Sequence, residues 1–193
     1  VFWSTTFICS AILGDYNHLS RMVSELGELG TKTQYLFAIG LTLCGVFCIP
    51  FVIGLYRSCK LIGLSYIPII FVLFYSPIAG PAIFPYPLRL HGILGIPSIL
   101  IIFSPLLSPF LWTGETKPTA LKFMSLLSLI VMLMGFSVLM PDFLDQYFGI
   151  KQRFFHLGWS LWFIYLSSSF IVLIDGHEKL TITTKVQHHS LNH

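Results

Sequence analysis

The chain has 193 residues, of which 55% are hydrophobic and only 10% charged, and its mean hydropathy is +0.81. A soluble domain carries about 25% charged residues, so this composition excludes an ordinary globular protein and points to the membrane class. The formal charge of +3 is small and its lysines and arginines form no run, which excludes nucleic acid as a partner.

A helix needs about 20 apolar residues to cross a bilayer, and uncharged runs of that scale recur along the chain. Residues 1–14 give a shortened first run, expected to begin upstream of Val1. Further runs cover residues 33–56, 61–88, 92–114, 123–141 and 154–174. Backbone polar groups in hydrocarbon must be satisfied internally, and the period-2 alternation of a barrel is absent, so the runs are expected to be helices. The predicted fold is all-α: a polytopic membrane helical bundle of six transmembrane helices. It forms one domain over residues 1–174, with a polar tail over 175–193 whose His188–His189 pair reads as a solvated terminus.

Short connections such as "YRSCK" (56–60) and "TGETKPT" (113–119) predict antiparallel neighbours. Pro68 and Pro77 in the third run, and Pro97, Pro105 and Pro109 in the fourth, predict kinks. Gly40, Cys44, Cys48, Gly92 and Gly95 offer close helix contacts. The four cysteines, Cys9, Cys44, Cys48 and Cys59, lack metal-site spacing and read as small packing residues. Lys and Arg divide six to five between the two sides, and the small excess places the 57–60 turn, the 113–119 turn and the tail in the cytoplasm.

One stretch breaks the apolar pattern. In "HLSRMVSELGELGTKT" (18–33), Leu19, Met22, Val23, Leu26 and Leu29 recur at helical spacing, with His18, Arg21, Glu25 and Glu28 opposite. Arg21 and Glu25 form an i, i+4 pair. The expectation is an amphipathic helix over about residues 18–30, lying at the membrane surface between the first two spans.

Span parity brings two other polar clusters to the same side. "PYPLRLHG" (85–92) carries Arg89 and His91, and "PDFLDQYFGIKQRFFHLGW" (141–159) carries Gln152, Arg153 and His156. Arg21, Arg89, Arg153 and Gln152 are candidate ligands for a lipid phosphate, through charge and the bidentate guanidinium fork. His18, His91 and His156 have the titration range of a general base, with Glu25 orienting one of them or acting itself. The ordinary alternatives are a helix-capping histidine, a snorkelling arginine, and an aromatic belt of Tyr86, Tyr147, Trp159 and Trp162. No two of the three histidines are spaced as zinc ligands on one helix, and a haem between His91 and His156 has no further support, so no metal or cofactor is assigned. A non-enzymatic scaffold or accessory subunit of a membrane complex is the competing reading. A small transporter is a third, weakened because no span carries a charge at mid-depth.

"VSELG" (23–27) before the second span, the polar entrance to the fourth, and "GIKQR" (149–153) before the last together resemble domain of unknown function 998. This is a family of small multi-span prokaryotic membrane proteins. The resemblance covers essentially the whole chain. It implies a multi-pass protein of a prokaryotic plasma membrane, with Ser24, Glu25, Gly27, Gln152 and Arg153 at motif positions. "SELG" is also distantly similar to the Frag/DRAM/Sfk family, linked to lipid and GPI-anchor remodelling or membrane stress. There the acid is usually Asp followed by Thr, whereas here Glu25 precedes Leu26.

Overall fold

The computed structural model describes residues 1–114, 117–140 and 142–190, with the backbone alone at residues 178 and 180–190. The imidazoles of His188 and His189, all of His193, and part of the 113–119 turn therefore lie outside the described residues. Among those described, every regular element is helical and no strand occurs. Four helical segments are long and apolar enough to cross a membrane: Gln34–Ile62, Arg89–Leu111, Leu121–Leu139 and Asp145–His177. Two shorter apolar segments, Phe2–Leu13 and Ile67–Ile83, accompany them.

The first run folds as α1 (Phe2–Leu13), stopped by Gly14 in a positive-φ conformation (φ +79°) that favours glycine. The second is α2 (Gln34–Ile62), whose 29 residues extend about 44 Å at the α-helical rise. Prolines divide the next two runs. Pro68 opens α3 (Ile67–Leu73), and Pro77 starts a 3-10 turn (Ser76–Ile78) leading into α4 (Ala79–Ile83). Pro97 likewise starts a 3-10 stretch (Ile96–Ile102) between α5 (Arg89–Gly95) and α6 (Phe103–Leu111). A proline supplies no backbone N–H, and the tighter 3-10 pattern absorbs that defect. The fifth run is α7 (Leu121–Gly135), continued by a 3-10 turn (Phe136–Leu139). After a short 3-10 turn (Asp145–Tyr147), α8 (Phe148–Ser190) continues well into the polar tail.

Small residues set the closest packing. A Cβ on Gly158 would meet Met132 N at 2.6 Å, and one on Gly135 would meet Phe155 N at 2.6 Å, so α7 and α8 approach backbone to backbone. Gly40 faces Thr5 across α1–α2, and Gly45 faces the Ser76 carbonyl. All four cysteines are buried and free. Trp159 and Trp162 do not join a surface belt. Both are buried, and Trp162 donates its indole N–H to Ser104 Oγ at 2.8 Å.

The 18–30 segment departs from the expected amphipathic α-helix. Turns cover residues 18–20, and a 3-10 helix spans Val23–Gly27. Its apolar stripe is split, with Val23 and Leu26 buried but Leu19 and Leu29 exposed. The physical reason is tertiary. The first N–H groups of α8 have no intrahelical acceptor, and the carbonyls of Ser20 and Leu19 supply one to Gly149 N (3.2 Å) and Ile150 N (3.0 Å). With those carbonyls turned toward α8, the segment closes as turns and a 3-10 helix instead.

Candidate functional site

The polar residues gather where the 18–33 segment meets the start of α8, and they separate into two groups. The first is a clamp around Arg153. Its Nη1 donates to the carbonyls of Arg21 (3.0 Å) and Gly149 (2.8 Å). Its Nη2 donates to the Tyr16 hydroxyl (2.9 Å) and to His18 Nδ1 (3.0 Å). Arginine has only donors, so His18 Nδ1 must be the acceptor and the proton of the neutral ring sits on Nε2. That nitrogen then donates to Ser10 Oγ at 3.0 Å, and the Ser10 hydroxyl donates to the Phe7 carbonyl. The chain of bonds ties α1, the loop and α8 together. Burial pushes the His18 imidazole below its ordinary value of 6.5, and the Arg153 charge adds in the same direction. Burial also pushes the Tyr16 phenol up.

Glu25 completes this group. Oε2 accepts from Arg21 Nε at 2.8 Å and Oε1 from the Met22 backbone N–H at 2.8 Å, so the carboxylate holds the entry of the 3-10 helix. The i, i+4 spacing read from the sequence thus pairs the right residues, but across a turn. Arg89 is exposed at the first residue of α5 and joins neither group.

The second group lines a cavity of about 440 Å³, within the range of small-molecule sites. Most of its wall is apolar and aromatic, including Phe2, Phe37, Tyr75, Phe155 and Trp159. Ser24, His91, Gln152 and His156 supply polar chemistry, together with Ser98, whose hydroxyl donates to the Gly95 carbonyl. Among the described residues, no Asp, Glu, Lys or Arg lines it.

Hydrogen bonding fixes what each polar group offers. Gln152 Oε1 accepts the Val23 N–H at 2.7 Å, which pins the 3-10 helix to α8 and leaves the carboxamide NH2 as donor. His91 Nδ1 lies 3.0 Å from the Phe84 carbonyl and 3.1 Å from that of Pro81. Both are acceptors, so Nδ1 carries a proton and Nε2 of the neutral ring is an acceptor. At His156 the order reverses. The Trp159 indole N–H donates to Nδ1 at 3.1 Å, which places the proton of the neutral ring on Nε2. That Nε2 is buried and has no partner among the described residues.

The structure therefore brings His91, Gln152 and His156 to one cavity with Ser24, and His18, Arg21, Glu25 and Arg153 to an adjoining clamp. Among the described residues no three His, Cys, Asp or Glu side chains converge as a metal would require. Tyr16 and Trp159, which orient Arg153 and His156, were not legible as site residues. The cue to Tyr16 lies in "GDYNH" (14–18), whose Gly14 and Asn17 are turn-forming, and Asn17 Oδ1 indeed accepts the Leu19 N–H.

A family model described as "Protein of unknown function (DUF998)" matches residues 1–169. No curated protein and no solved structure matches the chain.

Proposed function

The chain belongs to the DUF998 family, and on that premise we propose that this membrane protein holds a lipid or lipid-like molecule in the cavity lined by Ser24, His91, Gln152 and His156. In this reading the two shorter apolar segments complete six crossings, and the bundle resides in a prokaryotic plasma membrane. The observation that carries it is His156 Nε2. A buried donor left without an acceptor costs about 1–3 kcal/mol, and here it sits on a residue that lines an apolar cavity, just beneath the cavity surface. With a small shift of the side chains that cover Nε2, the Phe2 ring among them, an amphiphile would supply the acceptor through its head and fill the remaining space with its tail.

The reading is one of binding. Glu25 and His18 are engaged by neighbouring protein groups, and their contacts lend no support to a catalytic role. The test is native mass spectrometry of lipid retained through purification, comparing the wild type with Gly92→Phe. Gly92 lines the cavity at an exposed position, and a Cβ there meets nothing within 4 Å, so phenylalanine adds bulk at the cavity wall without a backbone clash. Lipid-bound species are expected to disappear in the variant while its melting temperature stays close to wild type. Unchanged lipid retention would reject the cavity as the site.

A second reading, a scaffold or accessory subunit partnering other membrane proteins, is favoured by the clamp. Four acceptors held by one guanidinium describe a device for fixing the fold.

A further inference from the structure

Resting on the lipid reading above, we infer that the cavity selects an uncharged lipid that presents a carbonyl oxygen to His156 Nε2, and that it discriminates against phosphate-bearing headgroups. The shared chemistry is a neutral acceptor on an apolar tail, as in an acylglycerol ester or a long-chain quinone.

Charge decides first. A phosphate needs cations or several strong donors when it leaves water, because burial of an unpaired anion is prohibitive. No Lys or Arg lines the cavity among the described residues. The three arginines that sequence reasoning assigned to phosphate stand elsewhere. Arg153 is held by four protein acceptors, Arg21 pairs with Glu25, and Arg89 is exposed at the start of α5. The cation expected to receive a phosphate is absent from the cavity wall.

Hydrogen-bond direction decides next. The Trp159 indole forces the His156 proton onto Nε2, so this buried position offers a donor and seeks an acceptor. The Gln152 carboxamide offers a second donor from the same helix, four residues earlier. Two neutral donors match a carbonyl oxygen, which has two lone pairs and no charge to neutralise. His91 Nε2, an acceptor in the neutral ring, suits a hydroxyl on the same ligand. The aromatic wall of Phe2, Phe155 and Trp159 is compatible with either source of the carbonyl.

The experiment measures binding of four probes to detergent-purified full chain by native mass spectrometry. These are monooleoylglycerol, decylubiquinone, oleoyl lysophosphatidic acid, and the ether analogue of monooleoylglycerol, which lacks the carbonyl. At least one of the two carbonyl probes is expected to bind about tenfold or more tightly than both the lysophosphatidate and the ether, the scale of one well-made hydrogen bond. Whichever carbonyl probe binds identifies the source.

His156→Asn keeps an acceptor for Trp159 near the Nδ1 position and removes the Nε2 donor, so the preference for carbonyl over ether should vanish. His156→Gln reaches further, returns an amide N–H near the Nε2 position, and should recover part of it. Equal affinity for all four probes, tighter binding of the lysophosphatidate, or a carbonyl preference that survives His156→Asn would overturn the inference. Gly92→Phe separates the two levels. If it leaves every affinity unchanged, the cavity itself is the wrong site. If it abolishes binding but wild type shows no carbonyl preference, the cavity stands and the ligand class fails.

Discussion

Replacing Arg153 by alanine should destabilise the fold without emptying the cavity. Of its four acceptors, the Gly149 carbonyl retains its helical partner in α8, and the Arg21 carbonyl (3.0 Å) shares the single Tyr16 hydroxyl proton with the Met22 carbonyl (2.6 Å). His18 Nδ1 and the Tyr16 oxygen lose a charged donor that no other group among the described residues replaces. A hydrogen bond to a charged group contributes about 1.5–3 kcal/mol, and Arg153 is half-buried. The expected loss is therefore about 3 kcal/mol, the low end for two bonds. For a chain of this size it lowers the melting temperature by about 6–12 °C. Arg153→Lys should recover less than half, because one ammonium cannot reproduce the planar fork that reaches both sides. The assay is thermal unfolding in detergent followed by tryptophan fluorescence, with lipid content counted on the folded fraction at low temperature. A shift below about 2 °C accompanied by loss of lipid would refute the reasoning and return Arg153 to a ligand-binding role.

Acid should weaken the same clamp. His18 has a folded-state pKa below its ordinary 6.5, so the unfolded chain binds more protons between those two values; stability is complete above 6.5 and is lost as pH falls through the folded value. Melting temperatures taken between pH 7.5 and 5.5 should fall more steeply for wild type than for His18→Gln, and parallel curves would contradict this. At the α7–α8 crossing, Gly158→Val should cost about 3 kcal/mol or prevent folding, since its side chain meets the Met132 backbone; a melting temperature within 2 °C of wild type would contradict the close approach. Lys151 is 1% exposed, donates to the Met140 carbonyl at 2.9 Å and sits against the rings of Phe148 and Phe143. Lys151→Met keeps that packing and relieves a buried charge, so its stability should stay within about 1 kcal/mol of wild type, whereas Lys151→Ala should lose more; the reverse order in a denaturation series would show that the ammonium outweighs the stem.

Residues differ in how far their roles could be read from sequence. The apolar runs announce helices because hydrocarbon leaves the backbone no other choice, and the prolines at 68, 77 and 97 announce the breaks. Bringing His91, Gln152 and His156 together required only that the intervening runs reverse direction in turn. The 18–30 segment misled because periodicity is a local signal, and here the demand of α8 for carbonyl acceptors at Leu19 and Ser20 outweighed it. Arg153 shows a related effect. Its charge advertises an anion, but the N–H groups of its two terminal nitrogens serve equally well to gather the carbonyls, hydroxyl and imidazole that loop closure brings into reach, while Nε is buried with no partner among the described residues. Hydrogen-bond direction was invisible altogether, since no sequence pattern says that Trp159 will fix the tautomer of His156.

Photo-crosslinking tests the central claim most directly. A lipid carrying a diazirine in its acyl chain is added to the full chain in nanodiscs, irradiated, and its adducts are mapped by peptide mass spectrometry. The account predicts adducts concentrated on residues 92–99 and 152–159, suppressed by Gly92→Phe. Adducts confined to outward-facing residues such as Ile39, Val46 and Phe47, with no effect of Gly92→Phe, would contradict it.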